Sequence, residues 1–154
     1  MRSFRGGGGL KKRMNHYSYD EIYIGQKESF EVQITEQMLD TFRDITGDVN
    51  PLHADAGYAR AEGYEDRVAY GMLTASFMSA LAGVYMPGER SLIKELKVKF
   101  AKPVYPGDTI IIEGEVTDRN DTFEMIVLKV TMRNGSGDRV LRGSMDIMLR
   151  HDRD

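Results

Sequence analysis

Three polar residues in one short segment carry the side chains best suited to chemistry in this chain. Asp48, Asn50 and His53 stand within six residues, around Pro51. A carboxylate and an imidazole that converge on one point can activate water, because one group takes a proton from water while the other returns a proton to the product. The same residues also suit an N-cap, an Asx turn and an ordinary loop histidine, so the spacing alone leaves both interpretations open.

A glycine near the middle of the chain is the second candidate element. Gly71 follows Tyr70 at the expected start of a buried helix. The first N–H groups of a helix have no intrahelical acceptor, and glycine lets a ligand come close to the backbone. Such an N–H suits a thioester oxygen that becomes negative during a reaction, which is an oxyanion-hole role. A tight turn before a helix would use the same glycine, so this alternative also stays open.

The composition excludes several other kinds of site. The chain has 154 residues, no cysteine and three histidines. A thiol nucleophile, a disulfide scaffold and a cysteine-ligated metal are therefore excluded, and one histidine with one acid does not complete a metal ligand set. The net charge of −3 is unlike the strongly basic footprint of nucleic-acid-binding proteins. We expect no metal and no nucleic-acid partner.

The charge is unevenly distributed along the chain. Residues 1–13 carry five basic residues and no acid, whereas the rest carries 16 basic and 24 acidic residues. Residues 6–9 are all glycine. We predict a flexible, basic, Gly-rich tail over 1–16 and a single domain over 17–154. The opening segment lacks the apolar stretch of a secretory signal, so we expect a cytoplasmic protein.

The elements around the polar segment are predicted to be helices. Thr35 can cap a helix that ends at Gly47, with one face formed by Met38, Leu39, Phe42 and Ile45. A loop over 48–53 and a short helix over about 54–61 follow. This order places the candidate acid and imidazole in a Pro-stiffened loop between two helices.

The remainder of the chain predicts one buried helix and one sheet. Residues 68–88 carry no charge and are apolar on every helical face, which favours a buried central helix over a membrane span. After residue 91, alternating apolar strands joined by hairpin signals predict an antiparallel sheet with one buried face. The expected fold class is α+β, with the sheet curled around the helix.

Together, the segments Asp48-Val49-Asn50-Pro51-Leu52-His53 and Tyr70-Gly71-Met72-Leu73 resemble the MaoC-like dehydratase family, and within it the R-specific enoyl-CoA hydratases. The resemblance covers residues 19–149. It implies the hot-dog fold, an antiparallel sheet wrapped around a long central helix. It also implies a homodimer or higher homo-oligomer, with the acyl-thioester tunnel near the subunit interface.

The resemblance further implies a reaction and a role for each site residue. Water would be added to a trans-2-enoyl-CoA, or to the corresponding acyl-carrier thioester, to give the (3R)-hydroxyacyl thioester. Asp48 and His53 would activate the water and the Gly71 N–H would bind the thioester oxygen, while Asn50 and Ser79 would support them. No cofactor would be needed, since CoA or the acyl carrier is part of the substrate.

One position departs from the family pattern, and two other functions remain open. Many relatives have histidine where this chain has Tyr70, so Tyr70 is either a replacement support for the glycine or a change in substrate contact. A hot-dog acyl-CoA thioesterase would aim water at the carbonyl carbon instead. A non-catalytic acyl-CoA-binding module would use neither Asp48 nor His53.

Overall fold

The structure is a computed structural model that describes residues 2–4 and 13–151. Its strands are β1 (Arg2–Phe4), β2 (Lys27–Gln33), β3 (Ser91–Phe100), β4 (Thr109–Asn120), β5 (Met125–Arg133) and β6 (Arg139–Leu149). Its helices are α1 (Glu36–Thr46), α2 (Pro51–Ala54), α3 (Ala56–Ala61) and α4 (Gly71–Ala80), and α4 continues into a π-helical turn over Leu81–Tyr85. A short 3-10 turn covers Tyr19–Glu21.

The six strands form one sheet in the order β1-β2-β4-β5-β6-β3. All neighbours from β2 to β3 are antiparallel, and only β1 runs parallel to its neighbour β2. Alternate residues of the central strands are buried, for example Ile110 and Ile112 in β4 and Leu128 and Val130 in β5. The period of two thus gives the sheet one apolar face, as the sequence predicts.

The apolar face of the sheet wraps around α4 and its π-helical extension. Met78, Leu81 and Ala82 are fully buried against it. The opposite side of the helix carries Met72, which is 73% exposed, and Ser76, which is also exposed. The α+β hot-dog arrangement is therefore confirmed, but burial of the helix on every side is not. Within the described residues, no helix is long and apolar enough to cross a membrane.

Helix α1 begins and ends where its capping residues predict. The Thr35 hydroxyl accepts a hydrogen bond from the N–H of Met38 at 3.1 Å, and Gly47 adopts a left-handed φ of 75° at the C-terminus. Leu39 is fully buried, but Ile45 is 77% exposed. The face predicted from the sequence is thus buried at Leu39 but exposed at Ile45, in the last turn of α1.

The predicted loop over 48–53 is partly helical. Helix α2 starts at Pro51, whose fixed φ suits the first helical position, and the Asn50 side chain caps it by accepting from the N–H of Leu52 at 3.0 Å. Asp55 then caps α3, which begins two residues later than predicted. The segment is thus a pair of short capped helices rather than an irregular loop.

The N-terminal residues fall only partly within the described chain. The prediction of a flexible tail over 1–16 includes 1 and 5–12, which lie outside the described residues. Arg2–Phe4 form β1, while Asn15 and His16 hydrogen-bond to the domain. Contacts with the domain therefore begin before residue 17, the predicted boundary. The flexibility of the remaining N-terminal residues stays a prediction.

Candidate active site

A cavity of about 290 Å³ lies between the start of α4 and the end of β3. Its wall includes His53, Gly71, Thr74, Phe100 and Lys102. The remaining wall residues are apolar. A ligand can therefore be oriented by the side chains of His53, Thr74 and Lys102 and by the backbone of Gly71. Two of the predicted site residues, the imidazole and the glycine, thus share one cavity.

The imidazole of His53 is held by two neighbours. Its Nδ1 lies 2.6 Å from the backbone oxygen of Val68. A carbonyl oxygen only accepts hydrogen bonds, so Nδ1 carries the proton and Nε2 of the neutral ring keeps a lone pair. The ring also stacks on Tyr70, with centroids 4.2 Å apart. His53 is therefore oriented with Nε2 as its available base.

Tyr70 connects the imidazole to the candidate carboxylate loop. Its side chain is buried, and its hydroxyl donates to the backbone oxygen of Asp48 at 2.5 Å. Burial, and after it the negative charge of Asp48, raises the pKa of Tyr70 above its usual value. The phenol therefore stays protonated near neutral pH and keeps this bond.

The Asp48 carboxylate is exposed and does not line the cavity. Its Oδ1 accepts from the backbone N–H of Asn50 at 3.1 Å, and its own N–H donates to the Thr46 hydroxyl at 3.2 Å. Asn50 thus contacts the acid through its backbone and caps α2 through its side chain. These bonds join the acid to the start of α2, and the bracing role of Asn50 stays a prediction.

Gly71 occupies a position that admits no larger residue without movement. It is the first residue of α4, so its N–H has no acceptor within the helix. A Cβ atom at Gly71 would lie 2.9 Å from Cε1 of Phe100, closer than van der Waals contact allows. The absence of a side chain therefore lets the Phe100 ring close over the backbone at the cavity wall.

Of the predicted site residues, the cavity wall includes His53 and Gly71 but not Asp48, Asn50, Tyr70 or Ser79. Ser79 also makes no contact with the loop of Asp48 that the structure records. It is exposed on the side of α4 that faces away from the sheet, and it does not line the cavity of its own chain. Its supporting role stays a prediction.

Three residues near the site were not singled out from the sequence. Thr74 lies in the cavity wall and is 3% exposed, and Phe100 covers Gly71. Arg67 is buried and bonds both the Asp40 carboxylate at 2.6 Å and the His53 carbonyl at 2.8 Å. Thr74 could have been found from its spacing of three from Gly71 on one helix. No local sequence pattern pointed to Phe100 or Arg67 as site residues.

The described residues hold no group of three or more histidine, aspartate or glutamate side chains placed to bind a metal ion.

Comparisons with known proteins agree on one family. The sequence profile of the MaoC like domain matches residues 21–136. An (R)-specific enoyl-CoA hydratase from Rhodospirillum rubrum is 31% identical over 134 residues, which cover 87% of this chain and 92% of that protein. A second (R)-specific enoyl-CoA hydratase, from Aeromonas caviae, is 28% identical over 132 residues, covering 86% and 98%.

A solved structure agrees with the sequence relatives. The R-hydratase PhaJ1 from Pseudomonas aeruginosa, in its unliganded form, superposes with a TM-score of 0.82 at 30% identity, covering 87% of this chain and 86% of that one. The family profile covers most of the chain, and the same capped loop and glycine-led helix lie within it. The chain belongs to the MaoC-like domain family.

Proposed function

We propose that the chain is an (R)-specific enoyl-CoA hydratase, a hydro-lyase that adds water to a trans-2-enoyl thioester to give the (3R)-hydroxyacyl thioester. The observation that carries this proposal is the shared cavity of His53 and Gly71, because it combines a base with a backbone donor for a developing oxyanion. The hydratases among the relatives support the same reaction.

The proposed reaction uses the cavity groups as follows. The oxygen of a water molecule bonds to C3 of the enoyl group, and the electron pair of the double bond moves onto the thioester oxygen. The Gly71 N–H stabilises that charge, which is worth ~3–4 kcal/mol for a single oxyanion donor. The enolate then collapses as the acid–base pair returns to C2 the proton that it removed from water. The atoms of one water molecule are thus added and no redox step occurs.

Asp48 and His53 supply the proton transfers in this proposal. Nε2 of neutral His53 has the lone pair needed to accept a proton from water, because Nδ1 is committed to Val68. Asp48, whose carboxylate lies outside the cavity wall in this chain, is assigned the role of holding the water from the neighbouring loop. Tyr70 supports this assignment because it contacts both the Asp48 backbone and the His53 ring. Acid–base catalysis of this kind contributes typically ~10²–10⁴-fold.

The CoA or acyl-carrier part of the substrate carries phosphates, and one lysine of the cavity wall is the proposed contact for them. Lys102 lines the cavity and forms an ion pair with Asp138 at 3.3 Å. Lys97 and Lys99 alternate with Val98, which packs on the core, so they lie on the outer face of the sheet. We therefore propose Lys102 as the contact for the phosphates of CoA or of an acyl carrier.

A second copy of the chain is the proposed partner. The sheet ends at β3, where no further strand pairs with it among the described residues. This edge exposes the apolar side chains of Leu92, Ile93, Leu96 and Phe100 of β3. The adjacent side of α4 exposes the apolar side chain of Met72. Exposed apolar side chains along an open strand edge favour association with another copy. Ser79, on the same side of α4, would then lie at the subunit interface.

Hydration of crotonyl-CoA by the wild-type protein tests the proposed reaction. Loss of the absorbance of the conjugated thioester should accompany formation of (3R)-hydroxybutyryl-CoA, identified by chiral chromatography. A thiol reagent measures free CoA in the same samples. Release of CoA without hydration would instead support a thioesterase, and binding without turnover would support a non-catalytic acyl-CoA module. The cytoplasmic location and the absence of a cofactor stay predictions.

A further inference from the structure

One polar group in the cavity wall has no role in the reaction described so far. Thr74 is 3% exposed, and its hydroxyl oxygen has no hydrogen-bond partner among the described residues. Buried polar groups are nearly always bonded, because an unpaired one costs stability. An unpaired hydroxyl at a cavity therefore indicates a ligand that completes it.

The backbone carbonyl that a helical threonine hydroxyl commonly bonds is present, but the Thr74 hydroxyl does not bond it. A threonine hydroxyl in a helix commonly bonds the carbonyl four residues earlier. In α4 that carbonyl belongs to Tyr70, and it accepts the backbone N–H of Thr74 at 3.1 Å. The hydroxyl makes no such bond. In the observed rotamer the Thr74 hydroxyl therefore has no bonding partner among the described residues.

The position of Thr74 relates it to the proposed oxyanion site. It follows Gly71 by three residues, so the two lie on the same side of α4, one turn apart, and both line the cavity. Rotation about the Cα–Cβ bond moves the hydroxyl without moving the backbone. A group bound at the Gly71 N–H is therefore within reach of the Thr74 side chain.

We propose that the Thr74 hydroxyl is a second oxyanion donor, which hydrogen-bonds the thioester oxygen together with the Gly71 N–H. This proposal rests on the hydratase function proposed above. When the electron pair of the double bond moves to that oxygen, one donor satisfies only part of the new charge. A second donor on a buried side chain adds stabilisation that acts mainly in the transition state.

Thr74→Val tests the role because valine keeps the shape and removes only the hydroxyl. The measurements are the kcat and KM for crotonyl-CoA and the thermal midpoint of unfolding. We expect kcat to fall by ~10²-fold, the range for loss of one oxyanion donor, with KM close to the wild-type value. The unfolding midpoint should stay equal or rise, since an unpaired buried hydroxyl is lost. Thr74→Ser should retain most of the activity.

Matched variants make each outcome decisive. Thr131→Val, on β5, is the control and should leave kcat unchanged. A kcat of Thr74→Val within twofold of wild type would overturn the proposal, as would an equal loss in Thr74→Ser. A wild-type protein that does not hydrate any enoyl thioester would instead overturn the underlying function. Loss of activity together with a lowered unfolding midpoint in Thr74→Val would show a packing role and also overturn the proposal.

Discussion

At the residue scale, Tyr70 is the side chain that relates the acid loop to the imidazole. Its hydroxyl bonds the backbone of Asp48, while its ring stacks on His53 and lies 4.9 Å from the ring of Phe42. The family pattern that the sequence resembles has histidine at this position, which left the role of Tyr70 open on sequence grounds. The contacts favour positioning of both partners, because the hydroxyl is already committed to a backbone oxygen.

Tyr70→Phe should lower activity without unfolding the protein. Phenylalanine keeps the stack on His53 but loses the bond to Asp48, so the acid is less well placed. A hydrogen bond is worth ~1 kcal/mol, which corresponds to a loss of roughly 3- to 10-fold in kcat. Steady-state kinetics with crotonyl-CoA checks this, with Tyr23→Phe as the control because Tyr23 is 61% exposed. Equal kcat values for the two variants would argue against a positioning role.

At the element scale, local patterns predicted the elements better than they predicted the contacts between elements. Helix α1 could be predicted because Thr35 and Gly47 are its own caps. Helix α2 was missed, because Asn50 and Pro51 suit a turn as well as a short capped helix. Phe100 of β3 lies against Gly71 of α4 across a long sequence separation. No local sequence pattern predicts such a contact.

Arg67 holds two of these elements together. Its guanidinium joins Asp40 of α1 to the His53 carbonyl at the end of α2. The Arg67 side chain is 10% exposed but the Asp40 side chain is 44% exposed, so solvent screens part of the ion pair. The larger effect of Arg67 is to satisfy the His53 carbonyl at the half-buried end of α2.

Arg67→Met should therefore destabilise the fold more than Asp40→Asn does. We expect ~2–3 kcal/mol for the loss of the buried hydrogen bonds and ~1 kcal/mol or less for the exposed acid. The measurement is urea unfolding of both variants, with Arg60→Met as the control because its side chain is 61% exposed. Equal destabilisation by Arg67→Met and Arg60→Met would contradict this account of Arg67.

At the scale of the whole molecule, one edge of the sheet and one side of α4 remain uncovered. The sequence predicted a central helix that is buried because it is apolar on every face. What it could not show is that the apolar residues of β3 are also exposed there, because their alternation predicts a buried face. A second copy of the chain would cover both surfaces.

Leu96→Glu should disrupt the proposed homodimer. Leu96 is 45% exposed on β3, and a charge there opposes burial against another copy. Light scattering after size-exclusion chromatography should give a dimer or larger oligomer for the wild type and a monomer for the variant. Ile24→Glu is the control, since Ile24 is 62% exposed beside β2 at the other end of the sheet. A monomeric wild type would contradict the proposed assembly.

The most direct test of the central claim is the rate of crotonyl-CoA hydration by Asp48→Asn and His53→Ala. If these two residues activate the water, each substitution should lower kcat by at least ~10²-fold while the protein stays folded. Asp44→Asn and His151→Ala are matched controls at exposed positions and should keep the wild-type rate. Near-wild-type rates in folded Asp48→Asn and His53→Ala would contradict the account.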